Sequence, residues 1–161
     1  MLAERLAGAV QLRPPGPARR RRRRAGRILR GLLQRHLLIR HGVGFPLVPG
    51  HERVGEITEV GKAVTRFHVG DKAAVGNILA SCGKCAACLA GRGNWCESYP
   101  VLTYGSVDPK DGLPTRGGFA DEYVLPDKFT YHLPEGLDPA GVAPLMCAGT
   151  TTYVSLKRWG A

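Results

Sequence analysis

The chain has 161 residues, the length of one domain or of one domain with a tail. Apolar residues make up 43% and charged residues 22%, which is a globular composition, and no stretch approaches the roughly 18 consecutive apolar residues of a membrane span. An integral membrane protein is therefore excluded. The net charge of +10 first suggests an anionic partner, but residues 1–44 carry 12 Arg and one acid, whereas residues 45–161 carry 11 Lys+Arg against 12 Asp+Glu.

Residues 1–44 are predicted to be a basic, disordered segment. The six consecutive arginines Arg19–Arg24 repel one another, and Pro14, Pro15 and Pro17 break any helix before them. After this run, apolar residues at helical spacing predict a short basic amphipathic helix over about 27–39. Residues 1–44 have four possible interpretations. They are a nucleic-acid or nuclear-localisation patch, a transit peptide (disfavoured by the missing Ser), a solvated tail, and a segment of GC-rich DNA translated out of frame. A secretory signal is excluded because no apolar region follows the charges.

Short strands are predicted from Phe45 onward, separated by Gly and Pro. The strands are expected over Arg53–Val60, Lys72–Val75 and Phe119–Leu125, with turns at Gly61-Lys62 and Val69-Gly70-Asp71. Several short strands of this kind indicate a barrel or sandwich and not a parallel sheet.

Helices are predicted only near the end of the chain. Asp138 is a good N-cap with Pro139 at the first helical position, and the apolar run continues over Ala140–Cys147. A second helix is expected over about Thr150–Trp159. The fold class is therefore mainly β with C-terminal helices.

Four cysteines within 15 residues are the strongest chemical signal in the sequence: Cys82, Cys85, Cys88 and Cys96. Their thiolates can converge on one ion in the tetrahedral arrangement of structural zinc. Disulfides would need an oxidising compartment. An iron–sulfur cluster is disfavoured, because in the bacterial ferredoxin pattern a shorter gap precedes the fourth Cys and Pro follows it, whereas here Glu97 follows Cys96. A structural zinc site is the preferred interpretation.

A second metal site is suggested by His51, Glu52 and Cys147. Taken singly, each is better explained as a turn histidine, a surface acid or a small buried thiol. Together they form the mixed N/O/S donor set that catalytic zinc accepts while one coordination position stays open. Such an open zinc acts as a Lewis acid on an alcohol or carbonyl oxygen. Spacing alone does not show that the three residues meet.

Several motifs in order make residues 45–161 resemble the zinc-dependent medium-chain alcohol dehydrogenases. Besides the cysteine cluster, they are Pro46–Glu52 (PLVPGHE), Gly55–Gly61 (GEITEVG) and Phe67–Asp71 (FHVGD). Two later stretches, Gly117–Val124 (GGFADEYV) and Ala143–Tyr153 (APLMCAGTTTY), resemble the cinnamyl-alcohol-dehydrogenase-like branch.

The resemblance implies a GroES-like partial β-barrel with a zinc-binding loop, normally joined to a Rossmann domain. It implies that the four clustered cysteines hold a structural Zn²⁺, and that His51 and Cys147 hold a catalytic Zn²⁺, with Glu52 as an additional ligand in some states. Thr151 would contact the nicotinamide of NADP(H). The implied activity interconverts small primary alcohols and aldehydes, of the cinnamyl type or over a broad range. The parent family is homodimeric, and a cytoplasmic location is expected.

The departures from the family pattern are equally specific. The family's first catalytic ligand is a Cys about two dozen residues before Gly-His-Glu, but residues 23–33 contain no Cys, His, Ser, Thr or Asp. The family's first strands are not recognisable in residues 1–44, and Ala161 falls where the Rossmann half would begin. We therefore expect residues 45–161 to form an incomplete catalytic domain that is inactive alone.

The second hypothesis belongs to another functional class. It is a non-catalytic zinc-binding module whose basic arm binds nucleic acid or a protein partner. The absence of aromatic residues among the arginines disfavours base stacking, and therefore disfavours specific nucleic-acid binding.

Overall fold

The structure, a computed structural model, describes residues 8–13 and 47–160. In this part of the chain it contains seven strands, three α-helices and three short 3-10 turns. The strands are β1 (Ala9–Arg13), β2 (Arg53–Val60), β3 (Lys72–Val75), β4 (Ile78–Ala80), β5 (Val101–Leu102), β6 (Tyr123–Pro126) and β7 (Thr130–His132). The helices are α1 (Ala86–Leu89), α2 (Pro139–Val142) and α3 (Ala148–Trp159). The 3-10 turns are Gly93–Trp95, Asp127–Phe129 and Ala143–Met146.

Five strands form one antiparallel sheet in the order β6-β1-β2-β3-β7, and β4 pairs with β5 in a separate two-stranded sheet. The predicted mainly β fold is confirmed, and β2 and β3 have the predicted bounds. β2 alternates because Arg53, Gly55 and Ile57 face inward. Gly55 is required there, since a Cβ on it would overlap the carbonyl oxygen of Arg13 on the neighbouring strand.

Strand β1 corrects the interpretation of the first 44 residues as a segment apart from the fold. Residues 9–13 lie inside the sheet, where Val10 pairs with Val60 on β2 and with Leu125 on β6. Val10 and Leu12 are completely buried, and burial of two branched apolar side chains stabilises the strand despite the basic composition around it. The boundary at residue 44 is therefore wrong for residues 9–13. The arginine run and the helix predicted over 27–39 lie outside the described residues.

The strand predicted over Phe119–Leu125 is also corrected, because β6 begins only at Tyr123 and includes Pro126. The backbone before it pairs elsewhere: the Phe119 N–H donates to the Pro49 carbonyl at 3.0 Å. Pro126 is tolerated because β6 is an edge strand of the sheet, where a missing N–H costs little.

The core lies against the sheet and beneath β4. Its largest fully buried side chains include Phe67, Leu12, Ile57 and Leu125, and Tyr123 and Leu79 extend the same cluster. These residues come from β1, β2, β4, β6 and the loop that carries Phe67, so segments far apart in the sequence share one core.

The C-terminal helices follow the prediction in part. Asp138 caps α2, since its Oδ1 accepts the Ala140 N–H at 3.1 Å. The apolar run over Ala140–Cys147 is not one helix, because Pro144 lacks an N–H and the chain tightens into the 3-10 turn Ala143–Met146. The last helix, α3, begins at Ala148, two residues before the predicted start. Within the described ranges, no helix has the length and apolarity that crossing a membrane requires.

Candidate metal centres

The four clustered cysteines converge in one loop. Their Sγ atoms all lie within 4.8 Å of one another, and those of Cys82 and Cys88 are 3.9 Å apart. A zinc ion with Zn–S bonds of about 2.3 Å requires tetrahedral S···S separations of about 3.8 Å, which this spacing matches. Disulfide bonding is ruled out at this distance, and all five cysteines are free. The donor set therefore fits a closed tetrathiolate site.

Backbone geometry directs these thiols inward. Helix α1 begins after Cys85, whose Sγ accepts the Cys88 N–H at 3.5 Å, and the Cys82 N–H donates to the Cys96 Sγ at 3.4 Å. Gly83 and Gly91 have φ values of +74° and +76°, a left-handed conformation that glycine adopts without strain. The only buried residues between positions 81 and 99 are Cys88, Gly93 and Cys96.

The loop lowers the thiol pKa at two of the four positions. The backbone N–H groups of Lys84 and Cys85 lower the pKa of Cys82 to about 6. The Ser81 side chain lowers the pKa of Cys88, although burial opposes it. For Cys96 the Cys82 N–H also lowers the pKa, but burial and the neighbouring thiols outweigh it and the net direction is upward. The loop thus has N–H donors ready for the anionic sulfurs of a metal ligand set.

The second group of candidate ligands lies beside the five-stranded sheet. One ligand atom each from His51, Glu52 and Cys147 lies within 4.8 Å of the others, and all three side chains are half-buried. Three protein donors that meet in this way leave a fourth tetrahedral position free. The structure thus brings together residues almost 100 positions apart in sequence, a proximity that their spacing alone left open.

The peptide before His51 is held by the segment around Gly117. The N–H groups of Gly117, Gly118 and Phe119 donate to the carbonyls of residues 48–50, at 2.6, 2.8 and 3.0 Å. Gly50 has φ +114°, and a Cβ there would meet the Phe119 nitrogen at 2.9 Å. This close backbone pairing fixes the direction in which His51 and Glu52 leave the segment.

Cys147 is positioned by the helices. It lies between the 3-10 turn Ala143–Met146 and α3, and its carbonyl accepts the Thr151 N–H at 2.9 Å in the first turn of α3. Thr151 is exposed one turn beyond Cys147, so it is available to a molecule that approaches this end of the helix. Its role toward the nicotinamide stays a prediction.

Charge and burial act together on the Cys147 thiol. Burial raises its pKa, and the nearby Glu52 carboxylate raises it further. Tyr104 shares this environment: burial raises its pKa, as do the negative charges of Cys147 and Glu52. A cation bound among these groups would offset the repulsion and favour loss of the Cys147 thiol proton.

Two residues at this site were not identified from the sequence. The ring of Tyr104 lies 6.1 Å from that of His51, tilted by 47°. Arg53 is almost completely buried directly behind the His51-Glu52 pair. The alternation of β2 carried a signal for Arg53, since it places this residue on the same face as Ile57. No pattern in the sequence indicates that Tyr104 reaches His51, because the contact joins separate loops.

Comparisons with known proteins identify the family to which the chain is similar. Residues 27–135 match the alcohol dehydrogenase GroES-like domain. Cinnamyl alcohol dehydrogenase 1 of Ocimum basilicum is 46% identical over 116 residues, which are 72% of this chain and 32% of the relative. A cinnamyl alcohol dehydrogenase structure from Sorghum bicolor has a TM-score of 0.76 at 32% identity, over 96% of this chain and 41% of that one. A CAD structure from Helicobacter pylori complexed with NADP(H) has a TM-score of 0.74 at 29% identity, over 94% and 41%.

The chain belongs to the alcohol dehydrogenase family, with its GroES-like domain. The predicted family resemblance, including its cinnamyl-alcohol-dehydrogenase-like branch, is therefore confirmed. The chain spans about a third of the length of the curated relatives it matches. The family match also begins at residue 27, within the segment that the sequence analysis set apart.

Proposed function

We propose that this protein provides the metal-binding part of a zinc-dependent alcohol dehydrogenase, which interconverts primary alcohols and aldehydes with NADP(H). The observation that carries the proposal is the convergence of His51, Glu52 and Cys147 at a site separate from the tetrathiolate loop. Similarity to cinnamyl alcohol dehydrogenases and to a CAD complexed with NADP(H) supports the substrate class and the cofactor.

The two donor sets suit different tasks. The four thiolates of Cys82, Cys85, Cys88 and Cys96 complete a tetrahedron, so a zinc ion there has a structural role. The His51, Glu52 and Cys147 set leaves one position for an oxygen ligand. A zinc ion bound to this second set supplies Lewis acidity, which lowers the pKa of an alcohol and polarises a carbonyl.

The chain's own residues prepare the second site for that chemistry. His51 presents an imidazole nitrogen, and Cys147 gives up its proton when it becomes a ligand. Tyr104 is mostly buried beside the His51 ring and excludes water from that side of the site. Glu52 contributes the carboxylate that makes the cluster attractive to a cation.

We further propose that the 161-residue polypeptide alone has little or no dehydrogenase activity. The sequence contains no Gly-x-Gly-x-x-Gly loop for a pyrophosphate, and residues 23–33 lack the cysteine that the family uses as its first catalytic ligand. Purified chain should therefore show no measurable NADPH oxidation with cinnamaldehyde. Turnover comparable to that of a complete dehydrogenase would contradict this part of the proposal.

Metal content is the direct test of the two sites. The full chain, purified in the presence of zinc, should contain two Zn²⁺ by elemental analysis, and Cys147→Ser should contain one. Exposed His68, which lies outside both donor sets, provides the matched control His68→Gln for a His51→Gln variant. The control should retain two Zn²⁺ and the His51 variant one. A single zinc in the unaltered chain, lost on substitution of Cys88, would refute the second site.

The alternative of a nucleic-acid-binding zinc module gains nothing from the structure, because Arg19–Arg24 lie outside the described residues. The expected cytoplasmic location stays a prediction; a compartment that keeps cysteines reduced would leave them available for metal binding.

A further inference from the structure

Arg53 is a buried cation whose hydrogen bonds all go to backbone carbonyls within the described part of the chain. Its relative exposure is 6%, and burial lowers its pKa, although Tyr123 and Asp121 oppose that effect. Burying a charged group is unfavourable unless hydrogen bonds in its surroundings offset the loss of hydration. The hydrogen-bond partners of the guanidinium therefore indicate what Arg53 does at this position.

The guanidinium joins two separate stretches of backbone through three carbonyls. It donates to the carbonyls of Leu12 on β1 at 3.1 Å, Gly118 at 3.3 Å and Asp121 at 3.1 Å. The aliphatic part of the side chain packs against Gly118, where an added Cβ would lie 3.2 Å from the Arg53 Cβ and Cδ.

These bonds complete a clamp around the His51-Glu52 pair. On its N-terminal side, residues 48–50 are bonded to residues 117–119. On its C-terminal side, Arg53 is bonded to Gly118 and Asp121 of the same segment. The two candidate ligands therefore lie between two attachments to one stretch of chain, which limits their movement in both directions.

A second route leads from Arg53 to the His51 ring. The guanidinium carbon lies 5.7 Å from the centre of the Tyr123 ring, and the Tyr123 hydroxyl donates to the Thr103 carbonyl at 3.2 Å. The next residue, Tyr104, places its ring against His51. Arg53 thus supports both the backbone that carries His51 and the aromatic wall beside it.

We propose that Arg53 is a positioning residue for the His51-Glu52-Cys147 metal site. The inference rests on the proposed function, since it assumes that this site binds a metal. A planar guanidinium can reach three carbonyls at once, whereas a lysine ammonium acts from a single point and a methionine donates to none of the three carbonyls. The geometry of the two ligands should therefore respond to the nature of this side chain.

Titration of the metal-free full chain with Co²⁺ separates a positioning role from a purely structural one. Cobalt bound to four thiolates and cobalt bound to mixed N/O/S donors have different visible spectra, so the tetrathiolate loop serves as an internal control for folding. Arg53→Met should weaken the second site by about 10- to 100-fold, the range found for residues that orient metal ligands. Arg53→Lys should have a smaller effect in the same direction.

Arg66 provides the matched control. It also donates to a backbone carbonyl, that of Asp127 at 3.2 Å, and lies 5.3 Å from the centre of an aromatic ring, that of Phe67. It contacts neither ligand group. Arg66→Met should therefore leave both cobalt spectra and both affinities within about twofold of the unaltered chain.

The outcomes distinguish the inference from the function on which it rests. Unchanged affinity at the second site in Arg53→Met would overturn the positioning role. If Arg53→Met loses cobalt binding at both sites together, the Arg53→Lys variant decides between the two roles. A loss of cobalt affinity confined to the second site in Arg53→Lys supports the positioning role. An equal loss at both sites, or no loss at either, overturns it. If the unaltered chain binds cobalt only at the four thiolates, the proposed function itself fails, and the inference fails with it.

Discussion

The two candidate metal centres are built in opposite ways. In the loop between positions 81 and 99, only Cys88, Gly93 and Cys96 are buried, so two of the three interior residues are candidate metal ligands. The second centre lies beside a five-stranded sheet whose core, including Phe67 and Ile57, is complete without any metal ligand.

This difference indicates what each metal ion contributes. A loop without an apolar core cannot offset the entropy of ordering its backbone, so a metal ion bound there would take the place of a core. At the second centre, residues 117–119 and the start of β2 already hold the backbone on the two sides of the His51-Glu52 pair, so a metal ion would bind to a site formed in advance. We therefore expect the loop to depend on metal for its structure, and the second site to depend on the sheet for its metal affinity.

The largest effect should follow from Cys88→Ser, which removes the most buried ligand of the loop. Loss of a structural zinc site forfeits on the order of 10 kcal/mol of binding free energy that stabilises the fold around it. Zinc content should fall by one ion, and hydrogen exchange should accelerate over residues 82–96 while β2 and β3 stay protected. Cys147→Ser, the control, should lose one ion without faster exchange in the loop. Loss of protection throughout the sheet would show that the two regions are not independent.

A smaller effect, confined to the other centre, is expected for Gly117→Ala. The added Cβ would overlap the Pro49 carbonyl carbon and lie 2.6 Å from the Gly50 oxygen, so the segment before His51 must shift. Overpacking of this kind costs about 1–3 kcal/mol. Denaturant unfolding should show this loss, and the zinc affinity of the second site should fall while that of the loop is unchanged.

Gly141→Ala is the matched control for this substitution. Gly141 lies in α2, where a Cβ would approach only the Asp138 Oδ2, at 3.9 Å. The control should lose no stability, and the higher helix propensity of Ala should add about 0.5–1 kcal/mol. An equal loss in both variants would mean that close packing against Pro49 is not what fixes His51.

The sequence predicted the two centres unequally, for a physical reason. The four loop cysteines are close in sequence, so local turns bring them together and their spacing alone indicates the site. His51 and Cys147 meet only because β2 and the 3-10 turn before α3 come together in the tertiary fold. Their proximity could be expected only from the family resemblance. Tyr104 lies beside His51 through a contact between two loops, which no periodicity in the sequence predicts.

The errors in the predicted secondary structure also arise from contacts between segments that are distant in the sequence. The five residues of β1, of which Ala9, Val10 and Leu12 are buried, lie within a segment rich in Arg and Pro, so the average composition obscured a short apolar stretch. The expected strand over Phe119–Leu125 alternates in burial only over Tyr123–Leu125, and Phe119, at its start, is exposed and donates its N–H to the Pro49 carbonyl. In both places, pairing with a distant segment decided the structure.

The smallest predicted effect tests whether the support of the second centre responds to pH. Burial raises the pKa of Tyr123 to about 12 from an ordinary value of 10.0, although Arg53 opposes the shift. The folded state therefore holds the phenolic proton more tightly than the unfolded state, so this contribution to stability is complete below pH 10 and is lost as the pH rises through 12. At pH 11 the loss should be about 1 kcal/mol.

Tyr123→Phe removes the titrating group, so the stability of the variant lacks this pH dependence. Between pH 9 and pH 11, the unfolding free energy of the unaltered chain should therefore fall by about 1 kcal/mol relative to that of the variant. Tyr131→Phe, at an exposed position on β7, is the control and should show no such pH dependence. A constant difference for Tyr123→Phe would mean that the phenol ionises equally in both states, and that the bond from Tyr123 to Thr103 does not hold the proton in place.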